Sequence, residues 1–417
     1  MPSNLETPIL NDQTIAVNFF NGRLLSGEDL TTEQVANRRA HQLLGQSIGY
    51  GVVRGLEVDE AAGVSSVTQP VLQVKAGLAL NRSGHELLLT ADTQIALTRP
   101  PSTVAGSSLF SDCRPPQGGS YIAGAGVYLL VISPVTMIQG TAPVSGLGNI
   151  PASCNSNYRA AAVQFRLIQL SVPLSNFSDA NKVRNRVAYG CFASVNEATV
   201  IQQAYGSPPL TPNLLDALRP DRLTDCDLPL CVLYWTATGG IQFVDNSAVR
   251  RLVTEPSAAP AGTLWRLIDS LQADHRARVL QFQEHIEFLR RRAILRTARV
   301  RDHFEQLPPV GVIPLASTVW PDGAEFTTFF DGTVYKPPTF VEGARLGMIL
   351  QYAQQLSPID LSSGILIRLH RVHENQQLLD NSGPAATRPY MLFVTGHAPD
   401  FSDAHYNVSQ FNYANFW

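Results

Sequence analysis

Lysine is almost missing from this chain of 417 residues: of its 31 basic residues only Lys75, Lys182 and Lys336 are lysine, and the rest are arginine. Charge of either sign is scarce as well. Asp, Glu, Lys and Arg together make up 16% of the sequence, against about 25% in ordinary soluble domains, while the apolar share of 44% is usual. Polar uncharged residues fill the gap, which suits a surface that meets protein instead of water. Arginine fits the same reading, because guanidinium sheds water more readily than ammonium and makes planar, multidentate contacts. A GC-rich genome would produce the same bias. The net charge of -3 argues against non-specific nucleic-acid binding, which needs a strongly positive surface to displace counterions.

Cysteines are few, odd in number and irregularly spaced, at 113, 154, 191, 226 and 231. They do not read as the disulfide framework of a small secreted domain, and free buried thiols are expected. No stretch approaches the ~20 apolar residues that a spanning helix needs. The opening "MPSNLETPILND" has no basic segment followed by an apolar run, so a cytoplasmic chain is expected.

Reactive constellations are missing too. No phosphate loop of the form G-x-x-x-x-G-K-[ST] occurs, and "VSGLG" and "SSGIL" lack the frame of a nucleophile elbow. "HRVHEN", from His370, spaces two histidines by three in an expected strand, where they point to opposite sides and cannot share a metal. Cys226 and Cys231 lack a second Cys pair or a spaced His, so zinc is not expected. Asp322 and Asp331 sit in "PDG" and "FDG" and read as turn residues. No catalytic residue, metal or cofactor is nominated.

What is present is architecture. "FFNGRLLSGEDLTTEQ", from Phe19 to Gln34, predicts an aromatic strand end, turns at Asn21-Gly22 and Ser26-Gly27, and a helix capped by Thr31 or Thr32. Its apolar stripe is Val35, Ala36, Ala40, Leu43 and Leu44. Short β-rich runs follow, with Asn81 to Gly84 as a hairpin turn. After a Pro/Gly/Ser-rich stretch at 99–122, a second β region carries "GVYLLVISPV", "AAAVQFRLIQLSV" and "LCVLYWTATGGIQFV", and ends at "VRRLV". Residues 255–262 form a linker. Residues 263–306 contain neither Pro nor Gly, which predicts one helix of about 60 Å at 1.5 Å per residue. Its seam, Leu264, Ile268, Leu271, His275, Val279, Phe282, Ile286, Leu289, Ala293, Val300 and Phe304, suits a helical hairpin or an oligomeric coiled coil. Packing against the chain's own domains would use the same residues. Arg290, Arg291 and Arg292 lie near the helix C-terminus, where positive charge suits the dipole; they offer either a solvated basic face or a contact for an acidic patch on a partner.

The expected fold is therefore α+β and multidomain, with β-rich N-terminal and middle regions, one long coiled-coil-like helix and a small C-terminal α/β unit. The expected divisions are an arm, turn and helix at 1–48, a β-subdomain at 49–98, a second β-rich domain at 99–254, the linker, the long helix, and an α/β domain at 307–417 containing a helix at 341–356.

The blocks "FFNGRLLSGEDLTTEQ", "RRAHQLLGQSIGYGVVRGLEV" and "VKAGLALNRSGHELLL", followed in order by "CNSNYRAAAVQFRL", "LPLCVLYWTATGGIQFVDNSAVRRLV" and "LPPVGVIPL", resemble baseplate-associated or accessory structural proteins of contractile injection systems and phage-tail-like particles. The resemblance implies a non-enzymatic building block near the baseplate or spike, a cage or fibre-attachment element. Its partners would be other baseplate, spike or sheath subunits, and it would leave the cell only with the particle. Candidate interface residues are Phe19, Phe20, Leu24, Leu25, Ile268, His275, Phe282, Ile286, Leu289 and Arg290 to Arg292, and a homotrimer is the favoured state. Two rivals are an envelope- or carbohydrate-binding module using the aromatic tail "FSDAHYNVSQFNYANFW", and a polysaccharide or peptidoglycan hydrolase with paired carboxylates in a deep cleft.

Overall fold

The computed structural model describes residues 16–98, 121–122, 124–143, 154–192, 213–219, 221–253, 264–317, 321–373 and 390–402. The fold is mixed α+β with β-rich regions.

Helix α1 (Gly27–Ile48) starts at Ser26. Ser26 accepts a hydrogen bond from the backbone N–H of Asp29, and the Asp29 carboxylate accepts one from the Ser26 backbone, closing a capping box. The cap is thus five residues earlier than Thr31, and Ser26-Gly27 is a helix start instead of a second turn. Thr31 and Thr32 lie inside the helix and donate back to the carbonyls of Gly27 and Glu28.

Strands β1 (Gly51–Gly55), β4 (Gly77–Leu80) and β5 (Glu86–Leu89) form one antiparallel sheet, and β2 (Val58–Glu60), β3 (Val71–Val74) and β6 (Thr93–Ala96) form another. The β4–β5 turn is the expected Asn81 to Gly84, with Gly84 at φ +81°. A third sheet has the order β10-β9-β7-β8, built from β7 (Gly126–Pro143), β8 (Cys154–Gln169), β9 (Leu228–Thr236) and β10 (Gly240–Asp245). The start of β7 reads "GVYLLVIS", hydrophobic at nearly every step. Alternate side chains of a strand face opposite sides, and here both sides are covered. Tyr128, Leu130 and Ile132 pack with Val58, Leu72, Val74 and Leu87 of the small sheets. Val127, Leu129 and Val131 pack with Val183, Val187 and Ala188 of helix α2 (Val183–Cys191).

Helix α3 (Leu264–Arg291) ends well before 306. The stop is a Schellman arrangement: Ile294 N–H donates to Leu289 C=O, Ala293 N–H donates to Arg290 C=O, and Ala293 sits at φ +58°. Glycine normally marks such a stop, and its absence is why the sequence predicts continuation. A 3-10 turn (Leu295–Thr297) and short helix α4 (Val300–His303) return the chain to the core.

In the C-terminal region, β12 (Val310–Pro314), β13 (Thr339–Glu342), β15 (Ile367–His373) and β16 (Tyr390–Thr395) pair in the order β12-β16-β15-β13, while β11 (Gln306–Leu307) pairs with β14 (Ile359–Asp360). Helices α5 (Phe326–Phe329) and α6 (Leu346–Ala353) complete it. The helix expected at 341–356 starts five residues later, because Thr339 to Glu342 extend beside β15 as a parallel strand. Met391 and Phe393 of β16 pack toward Phe282, Ile286 and Leu289 of α3, while Leu392 and Val394 pack toward Ile349 and Ala353 of α6. The part of the α3 seam at Phe282, Ile286 and Leu289 is therefore filled by this chain's own sheet. Those three residues are not available to a partner helix.

Two buried ion pairs staple the sheets. Arg166 on β8 meets Asp227 at 2.6 Å, and that carboxylate also accepts from Ser133 Oγ, Thr224 N–H and Thr224 Oγ1. Arg184 on α2 meets Asp245 at 2.8 Å, with Gln281 of α3 donating to the same carboxylate. Cys191 and Cys231 are the expected free, buried thiols, burial pushing the first up to about 12 and the second well above the usual thiol range. Cys226 departs from expectation by forming a disulfide, whose other half is not among the described side chains.

Candidate interaction surface

The sequence-predicted interface residues divide into three groups. Phe282, Ile286 and Leu289 are buried in the core, so they serve folding and face no partner. His275 is half-buried, its imidazole pushed down to about 4 by burial and by the Arg278 charge, against the opposing pull of Asp274. Ile268 lies in α3, with a side chain outside the described set.

The arginines near the end of α3 are mostly spoken for. Arg290 forks onto Glu287 and reaches Asp322 at 2.8 Å; Arg291 shares Glu287; and Arg292 lies over the Phe288 ring at 4.3 Å. Of these three, Arg291 and Arg292 are exposed and Arg290 is half-buried.

The arm in front of α1 is the opposite case. Phe19, Phe20, Leu24 and Leu25 are 53%, 62%, 93% and 52% exposed. What folds the arm is polar. Gly22, at φ +92°, makes the turn that lets Arg23 N–H donate to Phe20 C=O. The Arg23 guanidinium binds Asn18 C=O and the Asp29 carboxylate and lies 5.9 Å from the Phe20 ring. Val17 N–H donates to Glu33 across the start of the helix. The Asp29 carboxyl is held below the usual range by the Ser26 hydrogen bonds and by Arg23. Ser26, Arg23 and Glu33 therefore set the arm's shape, while its apolar side chains are left facing out.

Helix α1 continues that surface. Leu30, Val35, Leu43, Leu44 and Ile48 are all exposed, as is Tyr50 just beyond, and only Ala36 and Gly45 of the helix are buried. The helix meets the β4–β5 hairpin near its C-terminal end. Gln42 Nε2 lies 2.7 Å from His85 Nε2, Gln46 donates to Ser83 C=O, and a Cβ on Gly45 would sit 2.2 Å from Gly84 O. Arg82 stacks 4.6 Å over Tyr50. From Gly45 to Gly27 the helix runs about 27 Å at 1.5 Å per residue, so it presents the arm at a distance from the hairpin that holds it. Large apolar side chains left exposed at both ends of one helix, with polar residues between them, mark a candidate interaction site.

A cleft of about 510 Å³ lies between β2, β10 and α3, lined by residues that include Glu57, Arg184, Arg250, Glu284, Glu287 and Phe288. Three of its carboxylates, Glu57, Glu284 and Glu287, have structural duties. Glu284 accepts the N–H groups of Asn246 and Ser247, at 2.9 and 3.0 Å, and an amide proton of Asn246, and it meets Arg184 at 3.3 Å. Burial, then the neighbouring Asp245 charge, pushes the Glu284 carboxyl up. Glu57 pairs with Arg250, and Glu287 with Arg290 and Arg291. These contacts tie the small sheets, β10 and α3 together.

The letters G-x-S-x-G occur at Gly45 to Gly49, but Ser47 sits in the last turn of α1 and donates to Leu44 C=O. That is not the strand-to-helix elbow the chemistry needs. His370 and His373 both lie on β15; His370 is buried with Nδ1 at 2.7 Å from Thr339 Oγ1, and the His373 side chain lies outside the described set. Among the described residues no group of three or more His, Cys, Asp or Glu is placed to hold a metal ion, and no helix is long and apolar enough to cross a membrane. The aromatic tail beyond residue 402 lies outside the described residues.

No family model matches the chain, and no curated protein matches it. Among solved structures, it is similar to TssK at a TM-score of 0.27 and 10% identity, over 66% of this chain and 50% of that one, so it spans about half of the TssK chain. It is similar at the same score and identity to a chain of the baseplate complex from the type VI secretion system, over 70% of this chain and 73% of that one. A likeness of that size fixes neither fold nor role.

Proposed function

We propose that this chain is a non-enzymatic structural subunit of a contractile, phage-tail-like particle, placed at or around the baseplate, and that it works through its interfaces. The observation that carries the reading is the exposed apolar arm. Burying large apolar side chains is the main source of association energy, and Phe19, Phe20, Leu24 and Leu25 are held out by a polar scaffold of Arg23, Ser26 and Asp29 that keeps them from collapsing onto the chain itself. The particle is suggested by the resemblance of the opening blocks to contractile-system proteins.

Replacing Phe19, Phe20 and Leu24 together with Ser tests this. These side chains carry little of the chain's own core, so the purified variant should melt within a degree or two of wild type yet be lost from purified particles. A variant that stays in the particle at wild-type occupancy would remove the arm from the account.

The hydrolase alternative draws on the acid-lined cleft. Glu284 and Glu287 hold backbone N–H groups and arginines in place, which supports a fastening role for them instead.

A further inference from the structure

We infer that the free edge of β8 pairs with the same edge of a second copy of this chain, antiparallel about a two-fold axis at Ala162, so that two sheets run on as one. The inference uses a different surface from the arm and does not rest on the arm's role.

β8 ends the sheet order β10-β9-β7-β8, and among the described residues only β7 pairs with it. Leu170 N–H donates to Val127 C=O, its direct partner in that register. Hydrogen-bonded pairs alternate along an antiparallel ladder. The even-numbered residues of β8 therefore bond to β7, while Arg159, Ala161, Val163 and Phe165 turn their N–H and C=O groups away from it. Among the described residues none of those groups has a partner. A row of this kind is a template for another strand, and edges that must stay single carry lysine, proline, a bulge or few residues. β10, at the other edge of the sheet, is six residues long with a break in its register. β8 runs for 16 residues, keeps its register with β7 throughout, and contains neither lysine nor proline.

The residues along the edge select its own copy as the occupant. A two-fold at Ala162 sets Arg159 opposite Phe165 and Ala161 opposite Val163 of the second copy, so every residue of the open row meets one of the other row. Arg159 is exposed, with no ion pair among the described residues, and Phe165 is half-buried. Placed opposite one another, the guanidinium reaches the ring. Moving the axis to Ala161 would set Arg159 opposite Val163 and lose that contact. On the other face the two Ala162 side chains meet across a non-hydrogen-bonded pair, where Cα atoms lie about 4.5 Å apart, a spacing that suits alanine on both sides. No like charges collide, because the two Arg159 residues sit six positions apart along the paired strands, on the order of 20 Å and beyond the screening length. The edge is thus self-complementary, the condition for a closed two-fold interface.

Full-length variants test the pairing. Ala161 is exposed, and Ala161→Pro removes an outward N–H and sets a ring in the path of the incoming strand while leaving the ladder to β7 whole, so it should melt as the wild type does. Sedimentation equilibrium should give a wild-type dimer at micromolar concentration and association at least tenfold weaker for Ala161→Pro. Two cysteine substitutions read the register without the proline. Ala162→Cys brings the paired Cα atoms to about 4.5 Å, within disulfide range, whereas Ala160→Cys leaves them about 14 Å apart. Mild oxidation should link the first into covalent dimers beyond the wild-type level and leave the second at that level. A wild type that is monomeric at about 100 µM, a mass of three copies, undiminished association of Ala161→Pro, or equal linking of the two cysteine variants would overturn the pairing. All of these readouts use the purified chain alone, so their failure is distinct from failure of the particle reading, which is scored by loss of the Phe19, Phe20, Leu24 variant from particles.

Discussion

Gly45→Ala isolates the contact that holds α1 to the β-rich region. In an isolated helix the substitution is favourable by roughly 1 kcal/mol, because alanine loses less backbone freedom and glycine is the poorer helix former. Here the new Cβ would lie 2.2 Å from Gly84 O and 2.9 Å from Gly84 C and Cα, all backbone atoms that cannot rotate away. The helix must retreat by about 1 Å, and overpacking of this kind costs about 1–3 kcal/mol. Retreat also loosens the Gln42–His85 and Gln46–Ser83 hydrogen bonds, at about 1 kcal/mol each. The net expectation is α1 docked more weakly by about 1–3 kcal/mol, so that amide hydrogens of Gln42 to Ile48 exchange roughly tenfold or more faster. Gly84→Ala should do the same from the other side, since its Cβ would meet Gln42 O at 2.0 Å and its φ is +81°. The measurement is hydrogen exchange by mass spectrometry on the two variants beside wild type. Slower exchange in α1 with a raised Tm, which is what helix propensity alone gives for Gly45→Ala, would refute the glycine-to-glycine contact.

Three further outcomes follow from the core. Ala293→Gly should stabilise the chain by about 0.5–1 kcal/mol in denaturant melts, because glycine takes φ +58° without the Cβ penalty; a loss of stability would mean α3 does not stop there. Asp245→Ala should destabilise by about 3 kcal/mol, since it leaves the Arg184 guanidinium buried with only Glu284 at 3.3 Å; a change under 1 kcal/mol in urea would show the pair to be dispensable. Acid should weaken the fold. Burial lowers the imidazoles of His275, to about 4, and of His285 and His303, so their contribution is complete above the unfolded value near 6.5 and declines as pH falls from about 6.5 to 4. The Glu284 carboxyl, pushed up, acts in the opposite sense over the lower part of that range. Tm should therefore fall between pH 7 and 4.5, with a shallower slope in His285→Leu; a flat profile would contradict the burial of these rings.

The α+β character and β-rich regions were legible in the sequence because hairpin turns and alternation are local signals. The Asn81 to Gly84 turn is the clearest case. The end of α3 was not legible, because its stop uses Ala293 where glycine is the usual mark. The fate of its seam was hidden for another reason: Phe282, Ile286 and Leu289 have the same spacing whether they meet a second helix or, as here, Phe393 and Met391 of the chain's own β16. At the candidate surface, the sequence singled out the arm residues, but only the structure separates Phe19 and Leu24, which face out, from Phe282, which is consumed inside. The cap at Ser26 was visible as Ser-x-x-Asp and was masked by two nearby threonines. The Arg184–Asp245–Gln281 cluster left no signal, since its members are far apart in the chain and joined only by packing.

Electron microscopy of particles assembled without this chain tests the central claim most directly. A structural subunit that works through its interfaces predicts particles that fail to assemble or that lack density at or around the baseplate, restored by the wild-type chain and not by the Phe19, Phe20, Leu24 triple-serine variant. Intact particles, identical to wild type at the baseplate, would contradict it.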